Sequence, residues 1–208
     1  MARYINAVCR LCRRQGEKLF LKGTRCNTPK CAIAKRSYAP GQHGQARQKL
    51  SNYGLQLKEK QKAKRMYGVL ERQFRRYFKI ASKSKGVTGK VLLQLLERRL
   101  DNVVFRLGLG ISRSQSRQVV RHNFVLVNSR RVNIPSYSVK QGDVIQIKAK
   151  EKAMNKLKEN LELSRDRSVP SWLEFNTQEL KAEVLRLPEK GDIAQPIQEQ
   201  LIVELYSK

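Results

Sequence analysis

Acidic residues and histidines are scarce in this sequence. Asp and Glu together number 17 among 208 residues, and His43 and His122 are the two histidines. No nucleophile-base constellation suggests itself from so few proton-sharing groups, which argues against catalysis. The phosphate-cradling signatures G-x-x-x-x-G-K-[ST] and G-x-G-x-x-G are absent. No apolar run is long enough to cross a bilayer. The opening MARYINAVCRLC lacks the extended apolar core of an export signal, so a soluble, cytosolic-type setting with reduced thiols is expected. Aromatics are only 7% of the chain, and those at helical spacing read as core positions and not as an exposed stacking platform.

What the chain has in excess is positive charge: 44 Lys plus Arg give a formal net charge of +27. Such an excess opposes compaction and favours a polyanionic partner. It is unevenly spread, with 35 basic and 6 acidic residues in 1–150 against 9 and 11 in 151–208. Binding is therefore expected from the first three-quarters, and a structural role from the rest. An anionic membrane is the competing polyanion, but the charges cover several elements instead of one amphipathic helix.

Cys9, Cys12, Cys26 and Cys31 form C-x2-C, thirteen intervening residues, then C-x4-C, within the spacing range of structural zinc sites. Four thiolates would complete a tetrahedral shell and leave no open position for chemistry. The alternatives are four free thiols or two disulfides, and disulfides suit a chain without an export signal poorly. One structural zinc ordering residues 1–40 is the expectation. Arg10, Arg13, Arg14, Lys18, Lys22 and Arg25 lie between and beside these cysteines, and basic zinc knuckles can present such groups to RNA. The run RSYAPGQHGQARQKLSNYG, from Arg36, follows. Its Pro40, Gly41 and Gly44 oppose regular structure and allow close backbone approach to a ligand. His43 within it reads as a plain loop residue, or as a contact to a ligand, since the metal shell is already full.

Ser51 is placed to cap a helix through Leu55, Leu57, Lys58, Lys60, Lys62, Lys64 and Arg65 to Tyr67-Gly68. A second helix, Glu71 to Ala81, is expected to bury Leu70, Phe74, Tyr77 and Phe78 and to expose Arg72, Arg75, Arg76 and Lys79. Thr88 caps the next. Leu92, Leu96, Leu100, Val103 and Leu107 then recur at spacings of three and four, which predicts helix continuing to Gly108, with Asp101 a surface acid among arginines. Ser112 and Gln115 suggest a capping box. The short helix after it would carry Arg113, Arg117 and Arg121 as one guanidinium stripe, suited to bidentate grip on phosphate; an ordinary solvated basic face is the plainer alternative.

The period then becomes alternating. Val125 and Val127, then Val132 and Ile134, read as strands joined through Asn128-Ser129-Arg130-Arg131, and Val144 to Lys148 as a third strand entered by the turn Gln141-Gly142-Asp143. A helix from Lys152 to Ser164, a buried Trp172 at an entry into extended structure, and a closing strand over Glu199–Tyr206 complete the reading.

The run SRSQSRQVVRHNFVLVN, followed by RRVNIPSYSVKQGDVI, resembles the RNA-binding module of the ribosomal S-four family, of several pseudouridine synthases and of a heat-shock protein. The flanking pieces choose among them. MARY, the paired cysteines, RSYAPGQHG, LSNYGLQLKEKQKAKRMYGVLERQFR, LERRLDNVVFRLG, NIPSY, RLPEK and EQLIVELYSK are similar, in order, to the bacterial-type S-four family of the small ribosomal subunit. That resemblance implies a non-enzymatic protein, cytoplasmic and within the ribosome (or in an organelle stroma), that binds the five-prime domain of small-subunit ribosomal RNA early in assembly. It implies contacts with neighbouring small-subunit proteins, a place near the messenger RNA entry channel, an influence on decoding accuracy and, in some members, repression of the protein's own message. No membrane and no small-molecule substrate are implied.

Carried over by matching motif, the zinc ligands are Cys9, Cys12, Cys26 and Cys31; some members lack them, so the general function does not require zinc. The RNA-binding candidates are Arg3, Arg10, Arg13, Arg14, Lys22 and Arg36, then Gly41, His43, Gly44 and Arg47. With them go Lys58, Lys62, Arg65, Arg72 and Arg76, and the stripe Arg113, Arg117 and Arg121. The hairpin VNSRR has Ser129 where the family usually has glycine, which should strain or widen a turn that favours positive φ. Two rivals weaken against this. Arg99-Leu100-Asp101 matches a triplet around the catalytic aspartate of pseudouridine synthases, but no large catalytic domain can fit in residues 151–208. A DNA-binding zinc finger would need a recognition helix beside its metal, and commonly uses histidine ligands. The expected architecture is α+β: a zinc knuckle and basic loop (1–45), a helical basic domain (46–98), an inserted helix-helix-small-sheet RNA-binding module (99–150) and a strand-containing C-terminal segment (151–208) packing back on the helical domain.

Overall fold

The computed structural model describes residues 3–46, 49–165, 167–193 and 196–207. Its helices are α1 (Cys9–Gln15), α2 (Ala32–Lys35), α3 (Asn52–Met66), α4 (Glu71–Lys83), α5 (Thr88–Glu97), α6 (Leu100–Arg106), α7 (Arg113–Arg121), α8 (Glu151–Leu163) and α9 (Glu199–Tyr206). Its strands are β1 (Val125–Val127), β2 (Arg130–Arg131), β3 (Val144–Ile147), β4 (Leu173–Asn176) and β5 (Lys181–Val184). The chain divides into two units, 1–92 with 195–208, and 93–194.

The first unit is helical. Ser51 caps α3 as its sequence suggests, its hydroxyl accepting from the Gly54 N–H at 3.2 Å. In α4 Phe74 is fully buried, whereas Leu70, expected in the core, stands just before the helix and is 38% exposed. Helix α5 begins at Thr88 itself, one residue earlier than a cap at that position would allow.

The expected strand at Glu199–Tyr206 is a helix. The β-branched pair Ile202-Val203 favours extended structure locally. Packing decides otherwise, because Glu199, Ile202 and Tyr206 share one helical face only at spacings of three and four. Ile202 is fully buried, and the Tyr206 ring stacks 4.5 Å from Phe78. Three hydrogen bonds fasten this returning segment: Gln56 Nε2 to the Glu204 carboxylate at 2.8 Å, the Gln198 N–H to the Glu59 carboxylate at 2.9 Å, and the Tyr206 hydroxyl to the Glu71 carboxylate at 2.9 Å.

The second unit is α+β. The apolar spacing runs on through residues 98 and 99, but the helix does not. Arg99 is extended (φ −66°, ψ 135°), and this kink separates α5 from α6. A distant loop closes the break: the Leu100 and Asp101 N–H groups donate to the Tyr137 and Pro135 carbonyls at 2.8 and 3.1 Å, and the Val139 N–H donates to the Arg98 carbonyl at 2.9 Å. Helix-terminal donors that would otherwise lack partners are thereby satisfied. Gly108, at φ 78°, follows α6 and turns the chain.

An antiparallel sheet follows in the order β2-β1-β3-β5-β4. Val127 pairs with Arg130, so Asn128 (φ 48°) and Ser129 (φ 65°) form a two-residue turn with both centres left-handed. Ser129 therefore strains the turn without widening it. The second strand is shorter than expected: Val132 lies just beyond β2, and Ile134 is 52% exposed. β5 was not visible in the sequence pattern, and with β4 it extends the sheet. Residues 151–193 thus belong to the module's unit, and the C-terminal segment is not one piece. The core gathers Leu100, Val103 and Val104 of α6 and Leu107 just beyond it with Val119 and Val120 of α7, the inner face of the sheet, and Trp172, which is fully buried as expected. Removing one such side chain costs about 2–5 kcal/mol.

Candidate nucleic-acid interface

In the first unit, Arg3, Arg10, Lys22 and Arg36 are exposed. Arg13 and Arg14 instead hold the loop that follows. Arg13 donates to the Tyr38 and Ala39 carbonyls at 3.0 and 3.3 Å and lies over the Tyr38 ring at 4.9 Å, while Arg14 donates to the Pro40 carbonyl at 3.1 Å. Gly44 is required by the same loop, since a Cβ there would collide with the Ala39 carbonyl; its close approach is to its own chain, not to a ligand. Gly41 and His43 are exposed in this turn, and Arg47 lies outside the described residues.

Along α3 the lysines divide. Lys62, expected to face RNA, is buried, with its ammonium 2.9 Å from Glu17 and 3.9 Å from Glu59. Lys60 and Lys64 both reach Glu71 at 2.9 Å. Burial alone would raise the Glu71 pKa, but hydrogen bonds from Lys60, Lys64 and Tyr206 outweigh it and hold the carboxyl at about 2. Lys58 is half-buried, its carbonyl accepting from Gln15 Nε2 at 3.2 Å. Arg65 is also half-buried; burial pushes its pKa down, and the nearby Arg14 acts in the same direction. On α4, Arg72, Arg75, Arg76 and Lys79 are exposed, as expected.

In the second unit the expected stripe is only partly a surface. Asp101 is 5% exposed, so it is not a surface acid. It accepts from Arg99 at 3.1 and 2.7 Å and from Arg117 at 3.0 Å. Arg113 donates to Asn102 Oδ1 at 2.9 Å and lies 4.4 Å from the centre of the Phe105 ring. Asn102 donates in turn to Glu97, which is fully buried and accepts from Arg106 at 3.0 and 2.7 Å. Two of the three stripe arginines are therefore turned inward, and Arg121 is exposed. Ser112 does cap α7, accepting from the Gln115 N–H at 3.3 Å, but Gln115 Oε1 reaches back to the Ile111 N–H, not to that of Ser112. The sequence reading missed Arg130 and Arg131, both exposed on the edge strand β2. Reading them as loop hid them, and the two-residue turn signal at Asn128-Ser129 could have placed them on a strand.

Two family models match this chain. The Ribosomal protein S4/S9 N-terminal domain matches residues 3–97, and the S4 domain matches residues 98–145. The chain is 62% identical to the small ribosomal subunit protein uS4 of Pelotomaculum thermopropionicum, across the full length of both. The chain belongs to the uS4 family. It is also 62% identical to the uS4 protein of Acetivibrio thermocellus and 58% identical to that of Thermodesulfovibrio yellowstonii, again over all of each chain. The boundary between the two uS4 matches falls at the kink between α5 and α6. This is a family of structural ribosomal proteins, not of enzymes. Asp101 agrees with that: its carboxylate is engaged by two guanidinium groups, which suits an internal anchor.

Cys12, Cys26 and Cys31 are buried and Cys9 is half-buried, and all four are free thiols. Burial pushes the Cys12 and Cys26 thiols up, against backbone hydrogen bonds that lower them, and repulsion from other cysteines adds to the rise. The donor chemistry suits zinc. Even so, among the described residues no three or more Cys, His, Asp or Glu side chains are gathered as an ion requires. The described helices include none long and apolar enough to cross a membrane.

Proposed function

We propose that this protein is a structural constituent of the small ribosomal subunit that binds its ribosomal RNA in the five-prime domain and nucleates assembly there. The carrying observation is the full-length match to uS4 proteins at 62% identity, and the exposed cations of both units supply the phosphate-binding chemistry. On this reading the protein works in the cytoplasm, within the ribosome, touches neighbouring small-subunit proteins and influences decoding accuracy near the messenger RNA path. Repression of its own message belongs to the same reading, since a folded messenger segment offers the same backbone chemistry. The likeness of the module to that of pseudouridine synthases reflects a shared RNA scaffold, not shared catalysis.

Specificity comes from the shape of a folded RNA junction, because side chains cannot read the narrow A-form major groove. The test is binding to the isolated five-prime domain at physiological and raised salt, against an unrelated duplex of equal length. A preference of several orders of magnitude supports the reading; equal binding to both, lost alike as salt rises, rejects it.

Cys9, Cys12, Cys26 and Cys31 would hold one structural zinc, which supplies a closed cross-link to residues 1–40 and releases the thiol protons on binding. Metal analysis of protein prepared without chelator should give about one zinc per chain. Zinc-free protein with residues 1–40 still folded would reject the metal.

A further inference from the structure

The sheet of the second unit ends in two unlike edges. At one, β2 carries the exposed Arg130 and Arg131. At the other, β4 pairs among the described residues with β5 alone, and Glu174 stands directly opposite Glu183. Both carboxylates are exposed, and neither makes an ion pair among the described residues. Opposed side chains on paired strands begin about 5 Å apart, and like charges placed so destabilise the pair. The turn joining the strands adds the exposed Glu179, while Lys181, the one cation of β4 and β5, is half-buried opposite Asn176. This acidic edge belongs to a chain of net charge +27.

The backbone of the same edge is open. The Leu185 N–H donates to the Trp172 carbonyl at 3.0 Å, so residues 172, 174 and 176 bond to β5 and the alternate ones point away from it. Of these, the Leu173 N–H donates to the Pro170 carbonyl at 3.0 Å. The N–H and C=O of the half-buried Phe175 have no partner among the described residues. We propose that β4 takes up an extended basic segment of another protein as an added strand. Phe175 exchanges a pair of hydrogen bonds with that segment. Lysines or arginines at every second position lie beside Glu174 and Glu183, and the apolar residues between them lie beside Leu173 and Phe175. Carboxylates at this edge repel the phosphates of RNA, so the occupant is a polypeptide. One charge suffices to guard an edge strand against pairing, whereas two opposed carboxylates are relieved by a cationic partner. The inference rests on the proposed contact with neighbouring small-subunit proteins and names a surface and a chemistry for it.

The test titrates a capped peptide of about ten residues, alternating Lys and Val, into the full-length protein while hydrogen exchange of the Phe175 amide is followed by NMR. Controls are the same composition in scrambled order, the alternating peptide N-methylated at every valine, and a Glu–Val counterpart. The alternating peptide should bind and slow Phe175 exchange roughly tenfold or more at saturation, and the three controls should leave that exchange unchanged. The double variant Glu174→Gln/Glu183→Gln should bind the peptide roughly tenfold more weakly. Both residues are exposed and their like charges repel, so the variant should melt no lower than the wild type, which a thermal scan checks. Absence of binding, unaltered Phe175 exchange, equal binding of a scrambled or N-methylated peptide, or undiminished affinity of the double variant each overturns the proposal. The wild-type protein on the five-prime-domain RNA is a separate arm: loss of preference there rejects the proposed function while leaving the peptide result standing.

Discussion

Helices α4 and α7 look alike in sequence, each a short basic helix with arginines three or four residues apart, yet the fold uses them in opposite ways. On α4 the cations line one exposed arc away from any carboxylate of their own helix. On α7 two of three arginines turn inward, Arg117 to the buried Asp101 and Arg113 to Asn102 and the Phe105 ring. The difference lies in what each helix meets. Helix α7 packs on α6, which carries Asp101 and Asn102, whereas the inner arc of α4 is aromatic. A guanidinium near a buried carboxylate becomes an internal anchor, and the same group above an apolar core stays available to a ligand. A basic stripe alone does not reveal which.

The sharpest break of this comparison is to remove an anchor. Asp101→Ala leaves Arg99 and Arg117 without their buried carboxylate and should lower stability by about 3–5 kcal/mol, read from denaturant unfolding. A loss under about 1 kcal/mol would mean that the network contributes little. Next comes the pair Arg117→Ala and Arg121→Ala. The first should cost about 1–3 kcal/mol of stability and the second stay within about 0.5 kcal/mol, since among the described residues Arg117 has a carboxylate partner and Arg121 has none. Equal stability of the two variants would put Arg117 back on the surface. Arg72→Ala and Arg76→Ala invert the pattern: stability should hold within about 0.5 kcal/mol while affinity for small-subunit ribosomal RNA falls by about 1 kcal/mol each.

Glu71 gives a smaller, pH-dependent contrast. Its folded carboxyl titrates at about 2, below the unfolded value of about 4.3, so its contribution is present above that unfolded value and is lost as pH falls toward 2. The melting temperature should therefore drop over this interval, and Glu71→Gln should flatten part of the drop; an identical profile in the variant counts against the Lys60–Glu71–Lys64 cluster. The smallest effect is at the hairpin. Ser129→Gly should raise stability by about 0.5–1 kcal/mol, because glycine adopts φ 65° without steric cost. Unchanged or lower stability would show that the turn carries no strain.

Much of this was open to inspection in the sequence, for reasons that are local. Ser51 and Ser112 are short polar side chains at the edge of helical periodicity, and each caps its helix. Phe74, Leu100 and Trp172 are large apolar residues in polar surroundings, and each is buried. The readings that failed depended on partners far away in the chain. The kink at Arg99 is closed by carbonyls of Pro135 and Tyr137. α9 is helical because Phe78, Gln56 and Glu71 receive it. Lys62 is buried because Glu17, on a different segment, reaches it.

Sequence alone establishes that this chain is a polycation with its excess charge in residues 1–150, where most of its helices begin, and, through ordered motifs, its family. Which cations face outward is settled by folding. Charge count and helical period are properties of neighbours along the chain, whereas the burial of a guanidinium depends on whether folding holds an acceptor within about 3 Å of it. Asp101 and Glu97 take Arg99, Arg117 and Arg106 out of the surface in that way, and among the described residues nothing comparable withdraws the exposed arc of α4.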